Sequence, residues 1–411
     1  MPIANSRPVL TGPVETGMPG ISPEFELLLN SCARRFKVGE GLLARPYQWK
    51  QLINLAQQHG LIPQLYSFLA RYREQVPSQD FAVLRSKYEE NVRKALWFGA
   101  ELVRILGHLE EHGIKAMPYK GPALAQMLYG DVTRRQFGDL DILVFPKDVM
   151  AAKDALLALG YMLDIRLKAR EERAYLSTGY EFPFAGADGP HLVELQWRIL
   201  PRFYSVDFDI ADLFKRAEQV SLGGRLFSTL GLDDLLLVLC VHAAKHVWVQ
   251  LSWLREIAEL AESPRIDWDF VWEGASTLGI QRIVALNFLL AQDLLGLALP
   301  DPIQGWLEKD CVCQILKADL LRIITGGLHY DTESLAYFRL MIRLRERGSD
   351  KARFLWRLIC TPGIGEWSAV PLPARLSALY YIVRLGRLAT KVIDRYAEAT
   401  HSDAHESSAL S

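Results

Sequence analysis

The spacing of apolar residues changes character twice along the chain, and nothing else in the sequence restricts its fold as strongly. From Pro23 to about Gly113 apolar residues recur at helical spacing, as in Leu27, Leu28 and Leu29 and then Leu52, Ile53, Leu55 and Ala56. His59-Gly60-Leu61-Ile62-Pro63 stops one helix and starts another, with Gly past the end and Pro in the next first turn. A long helix is predicted over Asp80–His112, ending at Gly113. The period then shortens to two. Ala116-Met117-Pro118-Tyr119 is extended, Lys120-Gly121-Pro122 is a turn, and Ala123–Tyr129 is a short helix. Within Phe137–Phe145, Leu140, Ile142 and Val144 alternate with Asp139, Asp141 and Leu143, which predicts a strand. Val149–Leu159 is helical up to Gly160. His191–Leu200 reads as a second strand, with Val193, Leu195 and Trp197 on one face and Leu192, Glu194 and Gln196 on the other. From Leu232 helices return over residues 233–250, 253–262, 268–278, 280–295, 334–346 and 373–398, the last region being broken by Pro362-Gly363-Ile364-Gly365. No repeat of fixed period is evident.

This pattern predicts an α+β protein, a small mixed-sheet core with helical regions on both sides. The expected divisions are a loose Pro-, Gly-, Ser- and Thr-containing tail over residues 1–22, an N-terminal helical region over 23–113, the core over 114–230, a C-terminal helical region over 231–399 and a second tail over 400–411. A formal net charge of -1 gives no global pull toward nucleic acid or membrane, so an electrostatic partner has to be met by a local patch. The five cysteines, Cys32, Cys240, Cys311, Cys313 and Cys360, are scattered and show neither a disulfide framework nor zinc-ligand spacing, as expected of a reducing cytoplasm. The N-terminus lacks the basic-then-apolar layout of a signal peptide. His242, Lys245 and His246 interrupt the apolar stretch around Leu235–Val249, so no membrane span is expected.

The chemistry concentrates in the short-period region. Asp139 and Asp141 lie two apart on the predicted strand, which puts both carboxylates on one face, one pleat apart. Adjacent anions repel unless a cation lies between them. Mg²⁺ takes oxygen ligands, commonly one or two carboxylates together with substrate phosphates. The alternative for such a pair is the wet face of an edge strand. Lys120-Gly121 upstream opens a turn and short helix, where backbone N–H groups and an ammonium can hold phosphate oxygens. Glu194 downstream offers a third carboxylate between Val193 and Leu195 on a separate strand. In this order it reads as a third metal ligand rather than the solvent side of an alternating strand.

Here the chain resembles the polymerase-β-type nucleotidyltransferase superfamily, and within it a poorly characterised bacterial "nucleotidyltransferase family" with a Lys-Gly turn in place of the usual Gly-Ser. The resemblance runs from about Glu24 to Tyr381 and is densest between Gly113 and Tyr161. It rests on Tyr119-Lys120-Gly121-Pro122-Ala123-Leu124-Ala125, Leu128-Tyr129-Gly130-Asp131 and Arg135-Gln136-Phe137-Gly138-Asp139-Leu140-Asp141-Ile142-Leu143-Val144, and later on Glu194-Leu195-Gln196-Trp197, His242-Ala243-Ala244-Lys245-His246 and Trp253-Leu254-Arg255-Glu256-Ile257-Ala258. It implies a small polymerase-β-type core that moves a nucleoside monophosphate from an NTP to an acceptor hydroxyl or phosphate and releases pyrophosphate. Two Mg²⁺ ions, or Mn²⁺ in their place, would be ligated by Asp139 and Asp141, with Glu194 completing the nucleophile-side metal. Lys120 and Gly121 would hold the β- and γ-phosphates, and Arg135 would brace the carboxylates or the pyrophosphate. The His242–His246 helix would pack beside the site, with Lys245 reaching a phosphate and His242, His246 and Glu256 supporting it. Gln196 departs from the His of the related Glu-Leu-His-Trp, and Glu256 stands where a helix Asp is usual. The acceptor stays open among a small molecule, a peptide or protein, and RNA. Two other readings stay open: NTP-dependent phosphotransfer on the same fold, and a non-catalytic, antitoxin-like binding protein.

Two secondary features remain. His242 and His246 share a helix face, but the Glu of a His-Glu-x-x-His zinc site is absent, no third ligand is placed, and helical histidines in an apolar setting are more often packing residues. Arg339, Arg343 and Arg347, with Arg345, Lys351, Arg353 and Arg357 nearby, form either a solvated face or a basic patch over Arg339–Arg357 for RNA, acidic peptide or phospholipid.

Overall fold

The fold is given by a computed structural model that describes residues 21–32, 42–165, 167–186, 189–326 and 334–361 and the single positions 383 and 386. The two predicted tails, apart from Ile21 and Ser22, lie outside the described residues. So do the break at Pro362-Gly363-Ile364-Gly365 and, but for Val383 and Gly386, the predicted helix over 373–398.

Four helices come first: α1 (Pro23–Cys32), α2 (Trp49–Gln58), α3 (Ile62–Leu69) and the long α4 (Ser78–Glu111). The core follows, as β1 (Ala116–Pro118), α5 (Gly121–Tyr129), β2 (Leu140–Val144), α6 (Val149–Ala158), β3 (Met162–Leu163), α7 (Ala169–Thr178), β4 (Glu181–Gly186) and β5 (Gly189–Gln196). After α8 (Ile210–Lys215) comes a hairpin, β6 (Glu218–Leu222) and β7 (Arg225–Thr229). The remaining described elements are helices: α9 (Leu232–Lys245), α10 (Leu251–Ala261), α11 (Trp268–Leu278), α12 (Gln281–Leu295), α13 (Asp301–Leu307), α14 (Val312–Gly326), α15 (Leu335–Arg343) and α16 (Gly348–Cys360).

The strands form a five-stranded mixed sheet in the order β1-β2-β5-β4-β3, in which β2 and β5 run parallel and the other neighbours antiparallel. The alternation read from the sequence divides this sheet between two cores. Leu140, Ile142 and Val144 of β2, Phe182 and Phe184 of β4 and Val193 and Leu195 of β5 pack with Leu102, Ile105 and Leu109 of α4 and Leu156 of α6. On the opposite face, Met117 and Leu143 join a larger core built from α1–α3 and α9–α12. The helical stretches on either side of the sheet in sequence therefore share one interior. α4 ties the two cores together, with Phe81 and Leu84 in the larger one and Phe98 to Leu109 in the other.

The strand predicted over Phe137–Phe145 is shorter than expected and begins at Leu140, so Asp139 immediately precedes it. The strand predicted to Leu200 stops at Gln196. The alternation also passes over β4, because Pro183 lacks the N–H that a central strand uses and so disguises it. The β6–β7 turn is made by Gly223 and Gly224, both at positive φ, where a hairpin of right-handed twist needs them. The helix predicted over 334–346 ends at Arg343, and a further helix, α16, which the spacing did not indicate, begins at Gly348. α9 ends at Lys245 rather than near Gln250, and Val247 and Trp248 follow at φ 54 and 50. Left-handed backbone at two bulky residues is strained. It is held by Trp248 Nε1 donating to Asn287 Oδ1 at 2.7 Å, while Asn287 Nδ2 donates to the Cys240 and Ile283 carbonyls.

Within the arginine run of the C-terminal helices, Arg345 belongs to the interior and several of the others are paired. Arg345 is 1% exposed between the rings of Tyr204 and Phe354, and it donates to the Tyr204 and Met341 carbonyls. Arg343 pairs with Asp319, Arg353 with Asp350 and Arg357 with Asp207, while Arg347 donates to Ser276 Oγ. Among the described residues no helix is long and apolar enough to cross a membrane.

His59 joins α2 to the larger core. It packs edge-on to Phe25, accepts from the Leu251 N–H at 3.4 Å, and burial pushes it down to about 4. An imidazole held neutral in the fold but free to protonate when unfolded costs stability as pH falls below its ordinary value near 6.5, and the loss levels off below the folded value. Denaturant unfolding at pH 7 and pH 4.5 should show His59→Gln losing about 2 kcal/mol less than the wild type over that interval. Equal losses would contradict this.

Candidate active site

In the parallel β2–β5 pairing Asp141 stands directly opposite Glu194, and in the antiparallel β4–β5 pairing Glu181 stands opposite Gln196. Side chains alternate along each strand, so with apolar neighbours on the far face all four polar groups point toward α9. The same register that builds the apolar core thereby gathers acids on one face. Asp139 approaches them from the loop before β2. That loop is pinned from outside: Asn91 of α4 donates to the Thr133 and Arg135 carbonyls, Gln64 to the Arg134 carbonyl, and Gln136 accepts from the Ile62 N–H.

Lys120 and Gln196 neutralise the cluster from within. Lys120 Nζ donates to Asp141 Oδ1 at 2.8 Å, and Gln196 Nε2 donates to the same oxygen at 3.1 Å. The Gln196 amide also reaches Glu194 Oε2 at 2.9 Å and Glu181 Oε2 at 3.4 Å, while its carbonyl accepts from the buried Tyr119 hydroxyl. Burial pushes Asp139 up to about 6, with Asp141 adding to the shift and Lys120 opposing it. Burial, then the charges of Asp141 and Glu181, push Glu194 up to about 8. Burial opposes the charge on Lys120, but Asp141, Glu194 and Asp139 outweigh it and hold the ammonium above its usual range.

Gly121 shapes the turn rather than lining the cavity. It sits at φ 53, and a Cβ there would lie 3.2 Å from the Asp139 carbonyl oxygen, so the Lys-Gly turn and the Asp139 loop pack backbone to backbone. Arg135 is buried and paired: Nε donates to Glu256 Oε1 at 2.7 Å and an Nη to Oε2 at 3.4 Å, joining the loop to α10. Glu256 holds Arg135 and does not itself line the cavity.

The last turn of α9 forms the opposite wall. Lys245 Nζ donates to the Tyr180 hydroxyl at 3.3 Å and lies 4.9 Å from the centre of that ring. Burial lowers Lys245, holds His246 down at about 3 and holds His242 well below its ordinary value, so both imidazoles are neutral at physiological pH. Their rings pack on each other and on Trp253. Between sheet and wall lies a cavity of about 470 Å³. Asp139, Asp141, Glu194, Lys120, Arg135, His242, Lys245 and His246 all line it. So do Lys94, Tyr119 and Tyr180, which the sequence reading did not single out, and Gln196, noted there only as a departure. Glu181 acts on Glu194 from beside it, and its signal was the Glu181-Phe182-Pro183-Phe184 alternation hidden by the proline.

The donors suit a hard divalent cation in kind, being carboxylate oxygens. Among the described residues no three His, Cys, Asp or Glu side chains are gathered as a ligand set. Lys120 on Asp141, and Gln196 between Asp141 and Glu194, make the contacts that a shared cation would otherwise make. The residues therefore fit Mg²⁺ provided that these two side chains turn aside.

No protein of curated function matches the chain. Among solved structures it is similar to the antibiotic-resistance factor ANT(2'')-Ia, at 14% identity over 51% of this chain and 91% of that one with a TM-score of 0.28. It is also similar to an antigenic nucleotidyltransferase-like protein from Paracoccidioides brasiliensis, at 14% identity over 50% and 92% with a TM-score of 0.25. These likenesses are too slight to argue from. The model of a family described as uncharacterised nucleotidyltransferase matches residues 45–296, which include every strand of the sheet, the cavity lining and Glu256. The chain belongs to this uncharacterised nucleotidyltransferase family.

Proposed function

We propose that the cavity binds an NTP with Mg²⁺, or Mn²⁺ in its place, and transfers its nucleoside monophosphate to an acceptor hydroxyl or phosphate. The observation that carries this reading is the Asp141–Glu194 register, with Asp139 and the Lys120-Gly121 turn brought to the same cavity. Asp139, Asp141 and Glu194 would hold the metal, which when bound offsets the charge of the triphosphate and of the attacking and leaving oxygens.

The chain's own residues supply the rest. Lys120 and Lys245, with Lys94 also in the lining, are within reach of polyphosphate oxygens, and the burial of the first two strengthens each contact. Glu194, with Asp141, would help activate the acceptor hydroxyl and take up its proton. The acceptor oxygen bonds to the α-phosphorus as the bond from that phosphorus to its β-bridging oxygen breaks, and pyrophosphate leaves with the electron pair. Arg135 and Glu256 keep the Asp139 loop in place and are positioning residues. The acceptor is a small molecule, a peptide or protein, or RNA.

A second reading, a non-catalytic binding protein, is favoured by one observation: Asp141 already has an internal counter-ion in Lys120. Incubation with each labelled NTP and Mg²⁺ separates the two. Nucleotidyl transfer predicts pyrophosphate and a nucleotide-bearing product, and replacing Asp139→Asn with Asp141→Asn should reduce turnover by about 10³-fold or more. Nucleoside diphosphate as product would move the attack to the γ-phosphate. Turnover that survives the double replacement would overturn the site. Glu256→Gln leaves the Arg135 guanidinium buried without a counter-charge, which should cost about 3–5 kcal/mol of stability in denaturant unfolding. A loss under about 1 kcal/mol would show that the ion pair does not hold the loop.

A further inference from the structure

We propose, resting on the reading of this cavity as a nucleotide–metal site, that Lys120 is the resident counter-cation of the nucleotide-free protein. It yields Asp141 to the divalent ion only when a triphosphate draws its ammonium away. Metal and nucleotide then bind together, and neither is held well alone.

The argument is one of occupancy and charge. The Lys120 ammonium touches Asp141 Oδ1 at 2.8 Å, and the two side chains are 11% and 2% exposed, so the pair is shielded from water and salt. Asp139 and Glu194 lie close enough to favour the charged ammonium as well, so the cation on Asp141 serves its neighbours too. An ammonium and a divalent ion brought to the same buried carboxylate repel each other strongly. A metal arriving alone therefore has to evict a buried cation that gains nothing elsewhere. A triphosphate changes that balance, because its oxygens offer the ammonium a new anion. The four-carbon stem of Lys120 lets its head group move while the backbone, fixed by Gly121 against the Asp139 carbonyl, stays in place. Gln196 is built for the same exchange, since an amide rotation releases its contacts with Asp141 and Glu194 together. This accounts for three acids that line one cavity without forming a ready metal set. By linkage, whatever factor the nucleotide adds to metal affinity the metal adds to nucleotide affinity.

The test is Mn²⁺ binding to the full chain without nucleotide, followed by the electron paramagnetic resonance signal of free Mn²⁺. Lys120→Met should bind Mn²⁺ at least tenfold more tightly than wild type, and Lys120→Arg, which keeps a cation, should bind as weakly as wild type. Adding Asp139→Asn and Asp141→Asn to Lys120→Met should abolish the gain. Lys120→Met leaves a buried carboxylate unpaired, so its melting temperature is recorded with and without Mn²⁺. A variant that folds only when Mn²⁺ is added supports the proposal, and one that stays unfolded at millimolar Mn²⁺ counts against it. If the wild type turns over NTP but Lys120→Met shows no gain, this inference fails and the proposed function stands. If no variant binds Mn²⁺ and the wild type neither binds nor turns over NTP, the proposed function fails and takes the inference with it.

Discussion

Two carboxylates held side by side on the covered face of a sheet repel one another, and the centre of this molecule is arranged around that repulsion. The parallel register of β2 and β5 sets Asp141 against Glu194, and the antiparallel register of β4 brings Glu181 beside them. None of these acids can withdraw without pulling an apolar neighbour out of the core behind it, since a slip of one residue exchanges the two faces. Ile142, Leu195 and Phe182, each fully buried on the far face, thus lock the acids on the near one. The Lys120 ammonium and the Gln196 amide answer the charge by direct contact, and Lys245 acts on it from the opposite wall, where the imidazoles stay neutral.

The helices matter through what they exclude and what they fix. α9 and the turn after it close the cavity with two imidazoles that burial keeps neutral and with Lys245, so they remove water from the acids. The strained turn at Val247 and Trp248, anchored to Asn287, redirects the chain into α10, and α10 in turn supplies Trp253 to the cavity and Glu256 to Arg135. Hydrogen bonds from α3 and α4 hold the Asp139 loop from the other side. Carboxylates that are desolvated but not fully paired are costly to fold around, and such an arrangement is what phosphoryl chemistry requires of a metal and triphosphate site.

Much of this was legible in the chain because it is written in local periodicity. The change from helical to alternating spacing at Gly113 and the return at Leu232 located the sheet. The alternation of Val193, Leu195 and Trp197 with Glu194 and Gln196 assigned each residue its face. Pairing between strands was not legible. Nothing in the spacing says that Asp141 meets Glu194 or that a proline-bearing strand lies between β5 and the edge, because register is decided by contacts distant in sequence. The same holds for charge partners. Arg135 and Glu256 are far apart in the chain, and their ion pair appears only when α10 packs on the loop. The arginine run stayed open for a related reason. A cationic stretch looks the same in sequence whether its members face solvent or, like Arg345, lie between two aromatic rings.

The central claim is that this acid cluster is a seat for a metal-bound triphosphate. Crystals grown with Mn²⁺ and a non-hydrolysable NTP analogue, with diffraction recorded at the manganese edge, test it most directly. The account predicts anomalous density bonded to the carboxylates of Asp139, Asp141 and Glu194, with the Lys120 ammonium moved from Asp141 onto a phosphate oxygen. Nucleotide bound outside the cavity, or manganese away from all three acids with Lys120 still on Asp141, would contradict it.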